Sequence, residues 1–140
     1  MQICLCGTEK AAQPVALLEG LIRDSVPAGC LHSYREIGDF AKSSKDPRTT
    51  TDIAILIPAD ECELRRFAQL RKLSDLMRIV LVLPFDSPEM IVKGHALRPR
   101  FMTFADEEPV TVLRILEKMM GIEKGRKAPG AVAEAAICRS

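Results

Sequence analysis

The chain reads as a doubly wound parallel α/β sheet, and three observations say so. Two short, wholly apolar runs, Ile53 to Ile57 and Ile79 to Leu83, flank a helical stretch, as strands do when helices cover both faces of a sheet. Each run gives way directly to proline, at Pro58 and Pro84. Five strand patterns then alternate with five helical ones across the first 121 residues, and right-handed crossovers arrange such a series in the order 2-1-3-4-5. In open sheets of this kind, chemistry collects at the carboxyl ends of the strands.

The elements follow in order. Gln2 to Cys6 is short and apolar, Gly7-Thr8 interrupts it, and Leu17, Leu18, Leu21 and Ile22 recur at helical spacing after Pro14, giving strand, turn and helix. Val26-Pro27-Ala28-Gly29 breaks that helix. Cys30 to Tyr34 follows as a weaker strand, Glu36 to Lys42 as a short helix and Ser43 to Thr51 as a loop. After the first apolar run, Asp60 and Glu63 stand in capping-box spacing. The helix they open carries a core stripe of Leu64, Phe67, Ala68, Leu70 and Leu73, with Arg65, Arg66, Gln69 and Lys72 mostly toward water.

Past the second apolar run, Asp86-Ser87-Pro88-Glu89 combines a capping residue with proline at the first helical position. We expect Gly94 to end that helix. Arg100 to Ala105 is the fifth strand, and Asp106-Glu107-Glu108-Pro109 sets acidic groups where the last helix presents its positive dipole end. Gly121 closes that helix. Residues 122–140 mix lysine, glycine, proline and alanine with little periodicity and read as a mobile tail behind one domain, 1–121; Ala131 to Ile137 is a candidate short helix within it.

Composition bounds the possibilities. The 140 residues are 47% hydrophobic and 28% charged, the balance of one compact domain with a core. A formal charge of +1 supplies no long-range field for nucleic acid or anionic lipid. Basic residues occur as Arg65, Arg66, Arg71 and Lys72, as Lys93, Arg98 and Arg100, and as Lys124, Arg126 and Lys127 in the tail. With no tryptophan and one tyrosine there are few bases-stacking partners, so we read them as solvated faces and expect no nucleic-acid partner. No apolar stretch approaches the roughly 18 to 20 residues that span a bilayer, and Met1 leads almost at once into a strand pattern rather than a basic leader. The expectation is a cytoplasmic protein with no membrane partner.

Five cysteines, Cys4, Cys6, Cys30, Cys62 and Cys138, are an odd number without C-x-x-C spacing, unlike a disulfide framework or a zinc module. Cys4 and Cys6 share one face of a strand. As metal ligands they would need His32 and Cys62 as well, and we expect no metal or cofactor. His95, near a helix end, reads as a cap for carbonyl groups.

Element order and lengths from Met1 to Gly121, Thr51-Asp52 leading into a strand with proline after it, and Lys93-Gly94-His95-Ala96 ahead of the fifth strand resemble the receiver domain of response regulators, a flavodoxin-like fold. That resemblance implies two acidic residues after the first strand, a phosphoacceptor aspartate at the end of the third, a hydroxyl residue after the fourth and a lysine after the fifth. Magnesium needs hard oxygen ligands, and phosphoryl transfer needs positive groups aimed at the transferring charge. Aligning the strands sets Gly7 and Thr8 at the acidic pair, Ile57 at the phosphoacceptor, Leu83 or Pro84 at the hydroxyl and Phe104 at the lysine. A slip of one or two residues would offer Glu9, Asp60, Ser87 or Thr103 instead. The chain therefore resembles a pseudo-receiver, in which partner binding remains and aspartyl phosphorylation does not.

One enzymatic alternative stands beside it. Cys6 ends the first strand and precedes Gly7-Thr8-Glu9-Lys10, where helix amides would acidify a thiolate. The arrangement resembles the phosphocysteine loop of sugar-phosphotransferase IIB domains, although Thr8 is its sole hydroxyl before Ala11-Ala12-Gln13-Pro14.

The last helix carries Val112, Leu113, Ile115, Leu116, Met119 and Met120 over an arc of roughly 160°, at about 100° per residue. That exceeds a minimal core stripe, so we expect this helix to be an interface for a protein partner or a second copy of the chain.

Overall fold

The computed structural model describes residues 2–26, 29–45, 51–70 and 77–120. Five parallel strands, β1 (Ile3–Cys6), β2 (Leu31–Tyr34), β3 (Ile53–Leu56), β4 (Arg78–Leu83) and β5 (Phe101–Phe104), form one sheet in the order β2-β1-β3-β4-β5. Between them run α1 (Ala12–Ser25), α2 (Ile37–Lys45), α3 (Glu61–Ala68), α4 (Pro88–His95) and α5 (Pro109–Met120), with a 3-10 turn over Glu9–Ala11 ahead of α1. The expected fold class and strand order are what the chain adopts.

Alternation along the strands divides the interior in two. Ile3, Leu5, Ile53, Ile55, Val80 and Val82 face one way and meet α1 and α5. Cys4, Cys6, Ala54, Leu56, Ile79 and Leu81 face the other and meet α2, α3 and α4. Burial on both faces is why β1 and β3 carry no polar residue. On the second side Phe40 of α2 meets Phe67 of α3 edge-on, with ring centroids 6.4 Å apart, a favoured aromatic geometry. Arg78 at the start of β4 donates from Nη1 to the Met119 carbonyl at 3.2 Å, placing a cation at the negative end of α5.

Helix boundaries depart from the sequence reading in two places. Ser43 and Ser44 lie inside α2 rather than in a loop, since Ser44 Oγ donates to the Ala41 carbonyl at 2.8 Å and Tyr34 Oη donates to Ser43 Oγ at 2.8 Å. Ser44 thus bonds back onto the helix, while Ser43 takes a hydrogen from Tyr34 of the edge strand β2. Gly94 does not stop α4: it is buried within it, and a Cβ there would lie 2.8 Å from Leu81 Cδ2. Its role is close approach of helix to sheet, and the chain turns away at Arg98, whose φ of 53° is left-handed.

In α1 the core stripe is Val15, Leu18 and Ile22, while Leu17 is 55% exposed. Leu73, Arg71, Lys72, Gly121, the tail with Lys124, Arg126 and Lys127, its candidate helix and Cys138 lie outside the described residues. Among the described residues no helix is long and apolar enough to cross a membrane.

Candidate functional site

Carboxyl ends of β1 and β3 meet where the receiver comparison sets its acids, and that space is filled with hydrocarbon. Gly7 donates its N–H to the Tyr34 carbonyl at 3.1 Å, and Ile57 donates to the Cys6 carbonyl at 2.9 Å. A Cβ on Gly7 would stand 2.3 Å from Val15 Cγ2 and 3.4 Å from Ile57 Cβ. Ile57 itself is 1% exposed. An acidic side chain at position 7 would therefore collide with α1, and the side chain at 57 has no atom that accepts a phosphoryl group. Leu83 is buried in the second core, with Phe104 packed partly buried against it. The structure thus packs Gly7 and Ile57 together against Val15.

Polar residues of this edge are bound to one another. Asp60 caps α3, its Oδ1 accepting the Glu63 N–H at 2.9 Å, and this bond, aided by Lys10, holds its carboxyl below the ordinary carboxylate range. Glu63, buried on α3, reaches back as a capping-box glutamate should. Its Oε1 accepts the N–H of Ala59, one residue before the cap, at 2.9 Å. Its Oε2 accepts a hydrogen from the Thr8 hydroxyl, while Lys10 pairs with Asp60 at 3.6 Å. Two contacts thus tie the loop after β1 to the start of α3. Capping spacing revealed Glu63 in the sequence; the bond to Thr8 had no sequence signal, because it links residues 55 apart.

The substitutes that a register slip would supply do not gather. Glu9 is exposed, Asp60 is committed as a cap, and Ser87 precedes α4 without a side-chain capping bond. Thr103, buried on β5, donates to Glu107 Oε1 at 2.7 Å.

Cys6 lies in the interior. It is 0% exposed, and burial first, then the neighbouring Cys4 and Glu63, push its thiol up to about 12. Nucleophilic thiol chemistry needs the opposite shift. Strand alternation turns its side chain into the α2–α3 core, away from the loop amides. Cys4, beside it, is also raised by burial. Cys62 is exposed on α3, and His32 Nε2 is 2.7 Å from Gln2 Oε1 on the edge strand. Among the described residues no three potential metal ligands come together.

The last helix turns much of its apolar arc inward. Val112, Ile115 and Leu116 are buried against the chain's own sheet, and Leu113 and Met119 pack partly buried on the same core; the Met120 side chain is outside the described set. What stays open nearby is a groove of about 410 Å³ between α4, β5 and α5, walled by Ile91, His95, Met102, Thr103, Phe104, Glu107, Thr111 and an edge of Ile115. Val92, 70% exposed, lies away from it, in a depression shared with Glu61, Pro88, Glu89 and Lys93.

No protein-family model matches this chain, and no curated protein sequence matches it. Two solved structures share its fold. A response regulator receiver domain protein (CheY-like) from Methanospirillum hungatei JF-1 superposes with a TM-score of 0.65 at 12% identity, over 91% of this chain and 99% of that one. A putative pilus assembly-related protein from Burkholderia pseudomallei K96243 gives a TM-score of 0.55 at 20% identity, over 91% of this chain and 92% of that one. At these identities the likeness is one of fold.

Proposed function

We propose that this chain is a receiver-like signalling module that acts by protein–protein contact, without aspartyl phosphorylation and without catalysis of its own. One observation carries the reading: Val15 and Ile57 occupy the space above Gly7 that a metal-binding carboxylate would need. Neither Gly7 nor Ile57 offers a carboxylate to magnesium, and an isoleucine accepts no phosphoryl group.

Without phosphotransfer, the fold serves by presenting a fixed surface. The groove between α4, β5 and α5 supports this role, since it is open and Ile91, Met102, Phe104 and Ile115 give it an apolar surface set among His95, Thr103, Glu107 and Thr111. A protein partner, or a second copy of the chain, docks there in the cytoplasm. This reading moves the interface from the buried arc of α5 to the surface that α5 shares with α4 and β5.

Immobilised wild-type chain and a Met102→Asp variant, exposed to native cell extract with and without an acyl phosphate and magnesium, test it. A partner held by the wild type, lost with Met102→Asp and indifferent to the phosphoryl donor supports the reading. Capture that requires the donor, or that survives the substitution unchanged, contradicts it.

A further inference from the structure

Among the described residues the large apolar side chains left exposed are Leu17, Phe85 and Val92, and the last two belong to α4 or to the loop that leads into it. Val92 is the most open, at 70%. At about 100° per residue, the buried Met90 and Gly94 mark the side of α4 that lies on the sheet, and Val92 falls opposite them. Pro88 and Ala96, one turn before and one turn after it, are exposed along the same ridge. Ile91 and His95 stand on one flank of the ridge and wall the groove against β5 and α5. Glu89 and Lys93 stand on the other flank, toward α3, in a depression of about 480 Å³ that Glu61, Pro88 and Val92 complete. The two surfaces share no residue.

Charge on the α3 flank is paired unevenly. Lys93 does not turn back to Glu89, its neighbour one turn earlier, but crosses to Glu61 on α3, which also takes Arg65 at 3.6 Å. One carboxylate thus serves two cations, and Glu89 has no ion-pair partner among the described residues. An unpaired acid and a shared base therefore lie one helical turn apart, beside an exposed apolar ridge.

We propose that this flank of α4 is where two copies of the chain associate, their α4 helices antiparallel about a two-fold axis. Such an axis presents the same patch from both sides, so the patch has to complement itself. Reversing the helix about the midpoint of residues 89 and 93 sets Glu89 of each copy opposite Lys93 of the other and brings the two Val92 side chains together near the axis. The free carboxylate of one copy then meets the shared ammonium of the other, which has three donors. A partner of uniform charge would satisfy one of these groups and repel the other, whereas a second copy satisfies both. This contact goes beyond the groove reading and does not depend on what docks there.

Sedimentation equilibrium of the full chain over a range of concentrations tests the pairing. A monomer–dimer equilibrium is expected. Val92→Asp, Glu89→Lys and Lys93→Glu should each weaken it by a factor of about 10, because the axis applies every substitution twice. Mixing the Glu89→Lys and Lys93→Glu chains should restore association as a heterodimer, since both cross-pairs then carry opposite charges. Met102→Asp, in the groove, should leave the dimer unchanged. All three substituted positions on α4 are exposed, so these variants keep the fold, which an unchanged circular dichroism spectrum verifies. Monomer at every concentration, or a mixture no stronger than its components, would overturn the proposal. So would a dimer lost with Met102→Asp and kept with Val92→Asp, which would assign self-association to the groove instead.

Discussion

Thr8, on the loop after β1, donates its hydroxyl hydrogen to the carboxylate of Glu63 on α3, joining two segments 55 residues apart in sequence. The acceptor is 4% exposed, so water cannot replace a lost donor there. Thr8→Val keeps the shape and removes the hydrogen, and should cost about 1–3 kcal/mol in urea unfolding. A cost near zero would mean that Glu63 has another donor.

Rebuilding an acid directly after β1 should fail for steric reasons. Gly7→Asp drives a Cβ into Val15 and should destabilise by about 1–3 kcal/mol, without magnesium-dependent stabilisation. Adding Val15→Ala relieves the collision, so the pair should cost less than the two substitutions summed. Additive costs would show that Val15 is not the obstacle.

Cysteine reactivity should follow burial. Cys62, exposed on α3, should alkylate readily in the native state, whereas Cys4 and Cys6 should label only on unfolding. The Cys6 thiol is raised from 9.0 to about 12, so above pH 9 the unfolded chain gives up this proton while the native chain keeps it. Stability from Cys6 is thus whole below pH 9 and declines between pH 9 and 12. Rapid native alkylation of Cys6 would contradict the packing described above.

Arg98, beyond the Ala96 cap of α4, holds a left-handed φ of 53°, its N–H donating to the His95 carbonyl at 2.9 Å. Glycine takes that conformation without the Cβ penalty. Arg98→Gly should gain up to about 1 kcal/mol in thermal or urea unfolding, and a loss of stability would show that the arginine side chain holds a contact of its own.

The strands were legible because burial on both faces leaves no freedom in their composition: Ile53 to Leu56 and Ile79 to Leu83 admit only apolar residues. Asp60 and Glu63 marked the start of α3 because capping is local chemistry. Where the reading missed, the cause lay in partners distant in sequence. Gly94 resembled a stop until its approach to Leu81 was known. Ser43 resembled a loop residue until Tyr34 reached it. The apolar arc of α5 suggested a partner chain, but a helix set against both a sheet and α1 buries a wider arc than one set on a sheet alone, and Leu113 and Met119 pack on that shared core. At the site, the missing acids could be read from Gly7 and Ile57, but the orientation of Cys6 depended on strand alternation within a two-faced core.

Incubating the purified chain with an acyl phosphate and magnesium and recording its intact mass tests the central claim most directly. The account predicts an unmodified mass. A stoichiometric phosphoryl adduct on an acidic side chain of the carboxyl edge would contradict it.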